Sequence, residues 1–276
     1  MPQLDGFSAK PLLLLMLVTP ALTFITTYAI SASNGTLPYP YYFLSVSIES
    51  KPASCIGSFG LSLTSLLAPV LAFIRYTYVK MHISENLSGA DATKAQLLNT
   101  RALRFAVLSG LAGHGVASFQ SKTDDKNGSF LWVVVVHLLF ALVFFSGGGL
   151  YCFYSHYIDR MCPQLGTVPE RRLRRLFTYA SQLQLVFMVF VLPLLYYLTK
   201  GAPEVVVVMS VFEISLLCTF MSTYLTFLKE MEGLSVRLVV LLDERAYSIH
   251  EHKGERPLIK QGEEEGTNEM GSKSMV

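Results

Sequence analysis

Residues 131–158 read LWVVVVHLLFALVFFSGGGLYCFYSHYI, and no Asp, Glu, Lys or Arg interrupts the chain between Lys126 and Asp159. About 20 largely apolar residues suffice to carry a helix across the hydrocarbon core of a bilayer. One such run could be the central helix of a soluble protein, so the number of comparable runs decides the fold. No charge occurs between Lys10 and Glu49, between Pro52 and Ile74, or between Arg175 and Lys200, and Glu204–Lys229 holds only Glu213 between its ends. A shorter clean run, 105–119, is flanked by Arg101 and Arg104, whose long stems let their charges snorkel to an interface. Charged residues make up 15% of the chain, against about 25% in soluble domains. The reading is an all-α, polytopic membrane bundle of six transmembrane helices, at about 11–31, 52–76, 103–120, 131–156, 175–199 and 204–228. The first span lacks a basic lead-in and reads as a signal anchor rather than a cleaved signal peptide.

Orientation follows from the basic residues in each loop. With the N-terminus in the cytosol, 18 of the 22 Lys and Arg lie inside, and Lys51, Lys122, Lys126 and Lys200 make the 4 outside. Both termini are therefore expected to be cytosolic. The sequons at Asn34 and Asn127 then fall in the first and second outer loops, where glycosylation occurs, and a third at Asn86 falls inside. Tyr39, Tyr41, Tyr42, Trp132, Tyr196 and Tyr197 gather at the outer interface, with Tyr76, Tyr78, Tyr154 and Tyr157 at the inner one.

The transmembrane domain is expected to occupy residues 1–231. Beyond it come a short apolar run, LSVRLVVLL at 234–242, and a charged tail that cannot bury a core and reads as disordered. Its ending, Ser274-Met275-Val276, fits the C-terminus a PDZ domain adds to a sheet edge. Arg171, Arg172, Arg174 and Arg175 cluster at the cytosolic mouth of the fifth span. They suit anionic lipid headgroups, phosphoinositides among them, at about 1 kcal/mol per charge; enforcing topology is the equal alternative. The four cysteines form no disulfide framework, and Cys162 is a palmitoylation candidate or a plain free thiol. No Walker loop, H-E-x-x-H, G-x-S-x-G or paired C-x-x-C is present. No cofactor, no metal and no nucleic-acid partner is implied.

The spans carry a few polar residues. In GLAGHGVASFQ (110–120) the small residues Ala102, Ala106, Gly110, Gly113 and Ala117 recur at helical spacing on one face, which suits close helix packing. His114 does not fit that role. Counted from the outer ends of their spans, His114, His137 and Glu213 lie roughly 9, 9 and 13 Å deep. Ionisable groups at such depth face the protein interior. We expect an outer-half polar layer in which Glu213 accepts hydrogen bonds from His114 or His137, with Gln120 at the rim and Gln184 nearer mid-membrane. It is either a hydrogen-bonded clasp, worth about 1 kcal/mol per contact, or a ligand, proton or lipid site.

Several stretches resemble the Frag/DRAM/Sfk superfamily of six-span membrane proteins, which includes the damage-regulated autophagy modulators. GVASFQ (115–120) is similar to the family's Asn-Phe-Gln, with Ser118 in place of Asn. His137, Ala141, Phe145, Gly148 and Tyr151 keep its register in span four, Cys162-Pro163-Gln164 recurs in its second cytosolic loop, and Glu213 to Phe227 keeps its spacing in span six. The first outer loop departs from the pattern: Val46 and Ala53 stand where the family carries Asp and Glu. The resemblance implies a non-enzymatic regulator of autophagy and lysosomal membranes, or of phosphoinositide and lipid organisation, at an endomembrane or the plasma membrane. Two rivals stand beside it: a proton-coupled or small-molecule transporter using the His/Glu layer, and an intramembrane lipid-remodelling enzyme.

Overall fold

Ser8 begins the first long helix: its hydroxyl accepts the Lys10 amide, one of the donors a helix start leaves unpaired. A computed structural model describes residues 7–37, 39–120, 131–232 and 234–236, all inside one unit spanning Met1–Arg237. The sequon at Asn127, the C-terminal Ser274 and Val276, and the tail after 236 lie outside the described residues. Long helices dominate: α1 (Ala9–Ser33), α3 (Ala53–Asn86), α4 (Gly89–Ser118), α5 (Leu131–Met161), α6 (Val168–Val186) and α8 (Pro203–Leu225). Short helices α2 (Leu44–Ser47), α7 (Leu192–Leu198) and α9 (Leu228–Glu232) complete the set, with a two-residue antiparallel pair of β1 (Phe7–Ser8) and β2 (Ser235–Val236).

Five helices, counting α6 to α7 as one, are long and apolar enough to cross a membrane. The sequence places the sixth span in α4, which packs between α3 and α5 and whose composition is diluted by Asp91, Lys94, Arg101 and Arg104. Each span packs on the next, and α8 closes against α1 and α5. With six crossings the chain ends return to one side: β1 pairs with β2, and Lys10 forms an ion pair with Glu232. The four cysteines are free.

The small face of α4 does the expected packing. A Cβ at Gly110 would collide with Pro69 and come within 2.7 Å of the Ser65 carbonyl, and one at Gly115 would collide with the Phe140 ring. The helix thus lies in close contact with α3 on one side and α5 on the other. Two features differ from the expected loops and spans. The segment between spans two and three is a helical hairpin, because no helix breaker occurs until Leu87–Gly89, where Gly89 takes φ +58°. The fifth span widens into a π-helical turn at Phe187–Val191, one turn ahead of Pro193. Proline offers no N–H to the ladder, and in lipid the backbone must satisfy itself; the Leu192 amide does so by donating to Phe187 O, five residues back. By contrast, α3 runs unbroken through Pro69.

Candidate functional site

The outer polar residues do not form the expected triad. Glu213 accepts the Leu44 amide at 2.7 Å and also that of Ser45. Both belong to α2, a single turn of the first outer loop that folds back against the bundle. Its Ser47 is fully buried, hydrogen-bonded to the Thr27 hydroxyl at 3.1 Å, and its carbonyl accepts from Ser31 at 2.7 Å. A carboxylate there satisfies helix-start amides that hydrocarbon leaves without water. His137 Nδ1 pairs instead with the Phe119 carbonyl at the end of α4, 2.6 Å away. The half-buried His114 makes no side-chain hydrogen bond among the described residues. The hydrogen bond expected from either histidine to Glu213 is therefore absent among them, because the re-entrant loop supplies amides to the same carboxylate.

The remaining members are ties between helices. Gln120 donates to Ser58 Oγ at 2.6 Å and to the Ser54 carbonyl at 3.3 Å, joining the rim of α4 to α3. Gln184 donates to Ser215 Oγ at 2.7 Å, joining α6 to α8. Asn34 is exposed just after α1. Loss of the Glu213 cap should loosen the outer loop. Glu213→Gln is expected to cost about 1 kcal/mol and to speed proteolysis within 34–52 of the purified protein, with Glu213→Ala faster still. Unaltered cleavage in both variants would show that the loop is held by its serine contacts alone.

At the opposite end lies a constellation that sequence reasoning missed. Arg75 in α3, Asp159 in α5, Arg174 in α6 and Glu230 in α9 form a closed ring of ion pairs. Arg75 reaches Asp159 and Glu230 at 3.1 Å each, and Arg174 reaches the same two at 2.7 and 2.6 Å. All four side chains are at most 3% exposed. Further donors are used as well: Arg75 to Ser155 Oγ, and Arg174 to Thr226 Oγ1 at 2.9 Å and the Thr226 carbonyl at 3.0 Å. Both guanidiniums also lie over the Phe227 ring, 4.2 and 4.3 Å from its centroid. Two positive and two negative charges cancel, as buried charges must. Burial alone would raise the Glu230 carboxyl, but Arg75 and Arg174 together hold it below its ordinary range. Its contribution to stability is therefore complete above the ordinary carboxylate range and fades only as pH falls below it. Arg174, grouped with the lipid-contacting arginines by sequence, is excluded from that role: it is fully buried and its guanidinium is engaged in the ring.

The other arginines frame a cavity of about 480 Å³ beside this ring, lined by His156, Asp159 and Arg160 from α5 and by Arg171, Arg172 and Arg175 from α6. The connection Cys162–Thr167 is held from several sides. Arg171 donates to the Pro163 and Gly166 carbonyls, Glu170 accepts the Thr167 amide at 2.7 Å, and Leu165 is fully buried. Gly166 at φ +77° makes the turn. The family-like Cys162 is buried, and burial pushes its thiol above the ordinary range, which disfavours acylation. A separate mid-bundle cavity of about 70 Å³ has an apolar lining that includes Ser65, Gly110, Phe144 and Tyr151. No described cluster of His, Cys, Asp and Glu is arranged to hold a metal.

Residues 8–234 match the model of the family described as Frag1/DRAM/Sfk1/Cwh43P N-terminal domain. No curated protein and no solved structure matches the chain. The register residues of span four now have structural roles. Phe145 packs on Phe220 at 6.1 Å, Tyr151 stacks on Tyr224 at 5.6 Å, and Gly148 lies against Phe220. The part of the motif from Phe145 to Tyr151 thus lies in the seam between α5 and α8, while His137 ties α5 to the end of α4.

Proposed function

The chain belongs to the Frag1/DRAM/Sfk1/Cwh43P N-terminal domain family, and we propose that this integral, multi-pass membrane protein is a non-enzymatic regulator acting through lipid and protein partners. The observation that carries the lipid part is the basic mouth. Arg160, Arg172 and Arg175 form no ion pair among the described residues and converge on one cavity at a membrane-boundary helix junction. Such charges attract anionic lipid at about 1 kcal/mol each. The reading supported by the family is modulation of autophagy and lysosomal membrane processes, or of phosphoinositide and lipid organisation. The compartment it calls for is a lysosomal or other endomembrane, or the plasma membrane, with Asn34 glycosylated on the outer side. A PDZ-domain protein at Ser274–Val276 would supply the cytosolic partner.

The test uses full-length protein in detergent, titrated with dioctanoyl phosphatidylserine and dioctanoyl phosphatidylcholine. The serine lipid is expected to bind more tightly, and Arg172→Gln/Arg175→Gln to weaken it at least about tenfold, at about 1 kcal/mol per charge. Equal binding of both lipids by the native and substituted proteins would remove lipid contact from the proposal.

A further inference from the structure

The same mouth has the features of a defined ligand site, and the inference drawn from it rests on the lipid-contact reading above. Its cations sit on a fixed frame. Arg160 occupies the last turn of α5, Arg171, Arg172 and Arg175 the first two turns of α6, and the loop between them is tied down at Pro163, Leu165 and Gly166. Asp159 also lines the cavity but offsets none of this charge, because its two oxygens are paired with Arg75 and Arg174. Four guanidiniums therefore face one cavity without a compensating acid of their own.

His156 supplies the second, independent observation. Its ring is 5% exposed, forms part of the same wall, and is held edge-on by Tyr157 and Tyr179, each 5.8 Å away. Its Nε2 is buried and has no hydrogen-bond partner among the described residues. Buried polar atoms are nearly always paired, so an orphan beside four cations marks a place for an oxyanion.

The number of charges narrows the oxyanion. A phosphodiester carries one negative charge, whereas a phosphomonoester carries about −1.5 to −2 near pH 7 and presents three acceptor oxygens. Guanidinium forks match phosphate oxygens two at a time. We propose that this cavity binds a phosphomonoester, with Arg160, Arg172 and Arg175 on its oxygens and His156 Nε2 as an additional donor. Arg171 contributes charge while its Nη1 secures the loop.

Binding to the full-length protein in detergent distinguishes the possibilities. Dioctanoyl phosphatidic acid, a phosphomonoester lipid, is compared with dioctanoyl phosphatidylserine, a diester with the same chains, and with inorganic phosphate as competitor. Phosphatidic acid is expected to bind at least about tenfold more tightly than phosphatidylserine. His156→Phe, which keeps an aromatic ring between Tyr157 and Tyr179, should remove about tenfold of that affinity and narrow the preference, the scale of one charge-assisted hydrogen bond. Arg160→Gln, an exposed change outside the loop ties, should do likewise if the histidine variant fails to fold. Competition by millimolar inorganic phosphate would support the phosphomonoester site and make a soluble phosphate its source; resistance to it would make the lipid the source. Equal affinity for the two lipids, lost in Arg172→Gln/Arg175→Gln, overturns the phosphomonoester site and leaves the anionic-lipid reading standing. Lipid binding indifferent to those arginines overturns both.

Discussion

Arg174→Met is expected to cost about 3–5 kcal/mol of bundle stability, the scale for breaking a buried ion pair from one side. The guanidinium bridges Asp159 and Glu230 at 2.7 and 2.6 Å, so its removal leaves two carboxylates to share Arg75. The ring then holds an uncompensated negative charge at a position closed to water. The Thr226 carbonyl and hydroxyl lose their donor in the same step. Trp132, the one tryptophan, reports unfolding by its fluorescence as detergent-solubilised protein is titrated with SDS at neutral pH. Arg172→Met, on the exposed face of the same helix, should stay within about 0.5 kcal/mol of the native protein. Adding Asp159→Asn to Arg174→Met removes the surplus charge and should recover part of the loss, a coupling that a double-mutant cycle isolates. Should Arg174→Met cost no more than Arg172→Met, the ring is not closed as described.

The ring also explains why the inner end of the bundle is ordered beyond the last span. Glu230 and Phe227 bring the chain after α8 back against α3, α5 and α6, and Glu232 then meets Lys10 while β2 pairs with β1. Asp159 is common to the ring and to the wall of the basic cavity. One carboxylate and two guanidiniums thus join the wall of that cavity to α9.

What could be read in advance follows from the solvent. Hydrocarbon tolerates no uncompensated charge and no unpaired backbone, so the uncharged runs around 131–158 and its counterparts translate directly into helices. Hydropathy is silent where helices continue into water: α3 runs on to Asn86 because nothing stops it, not because it is apolar. Depth alone puts His114, His137 and Glu213 in one layer, and depth compares spans with one another. It carries no information about a loop re-entering from outside, which is why the partner of Glu213 is the backbone of α2. The ring was hidden for a different reason. A basic residue at the inner end of a span looks the same whether it faces lipid headgroups or a buried acid, so the sequence alone places Arg75 among the inside charges and Arg174 in a cluster that suits lipid headgroups or topology. The informative residues were the acids, Asp159 and Glu230, placed just past span ends where Lys and Arg prevail.

Phe227→Ala is expected to be the second costly change, about 3–5 kcal/mol as for other buried phenylalanines. Its ring is 1% exposed and meets the ring edges of Tyr151 and Tyr224 at 6.3 and 5.9 Å between centroids. Truncation would open a cavity directly beneath Arg75 and Arg174, which lie over it at 4.2 and 4.3 Å. Phe227→Leu separates the two contributions, because it keeps most of the apolar volume and removes the π face. A desolvated cation–π contact is worth about 2 kcal/mol or more, so the leucine variant should lose roughly 1–3 kcal/mol in the same SDS titration. A leucine variant as stable as the native protein, beside a damaged alanine variant, would assign Phe227 a filling role only. A leucine variant nearly as unstable as alanine would instead make the aromatic face the surface on which the two guanidiniums rest, joining the apolar seam of α5 and α8 to the ionic ring at its end.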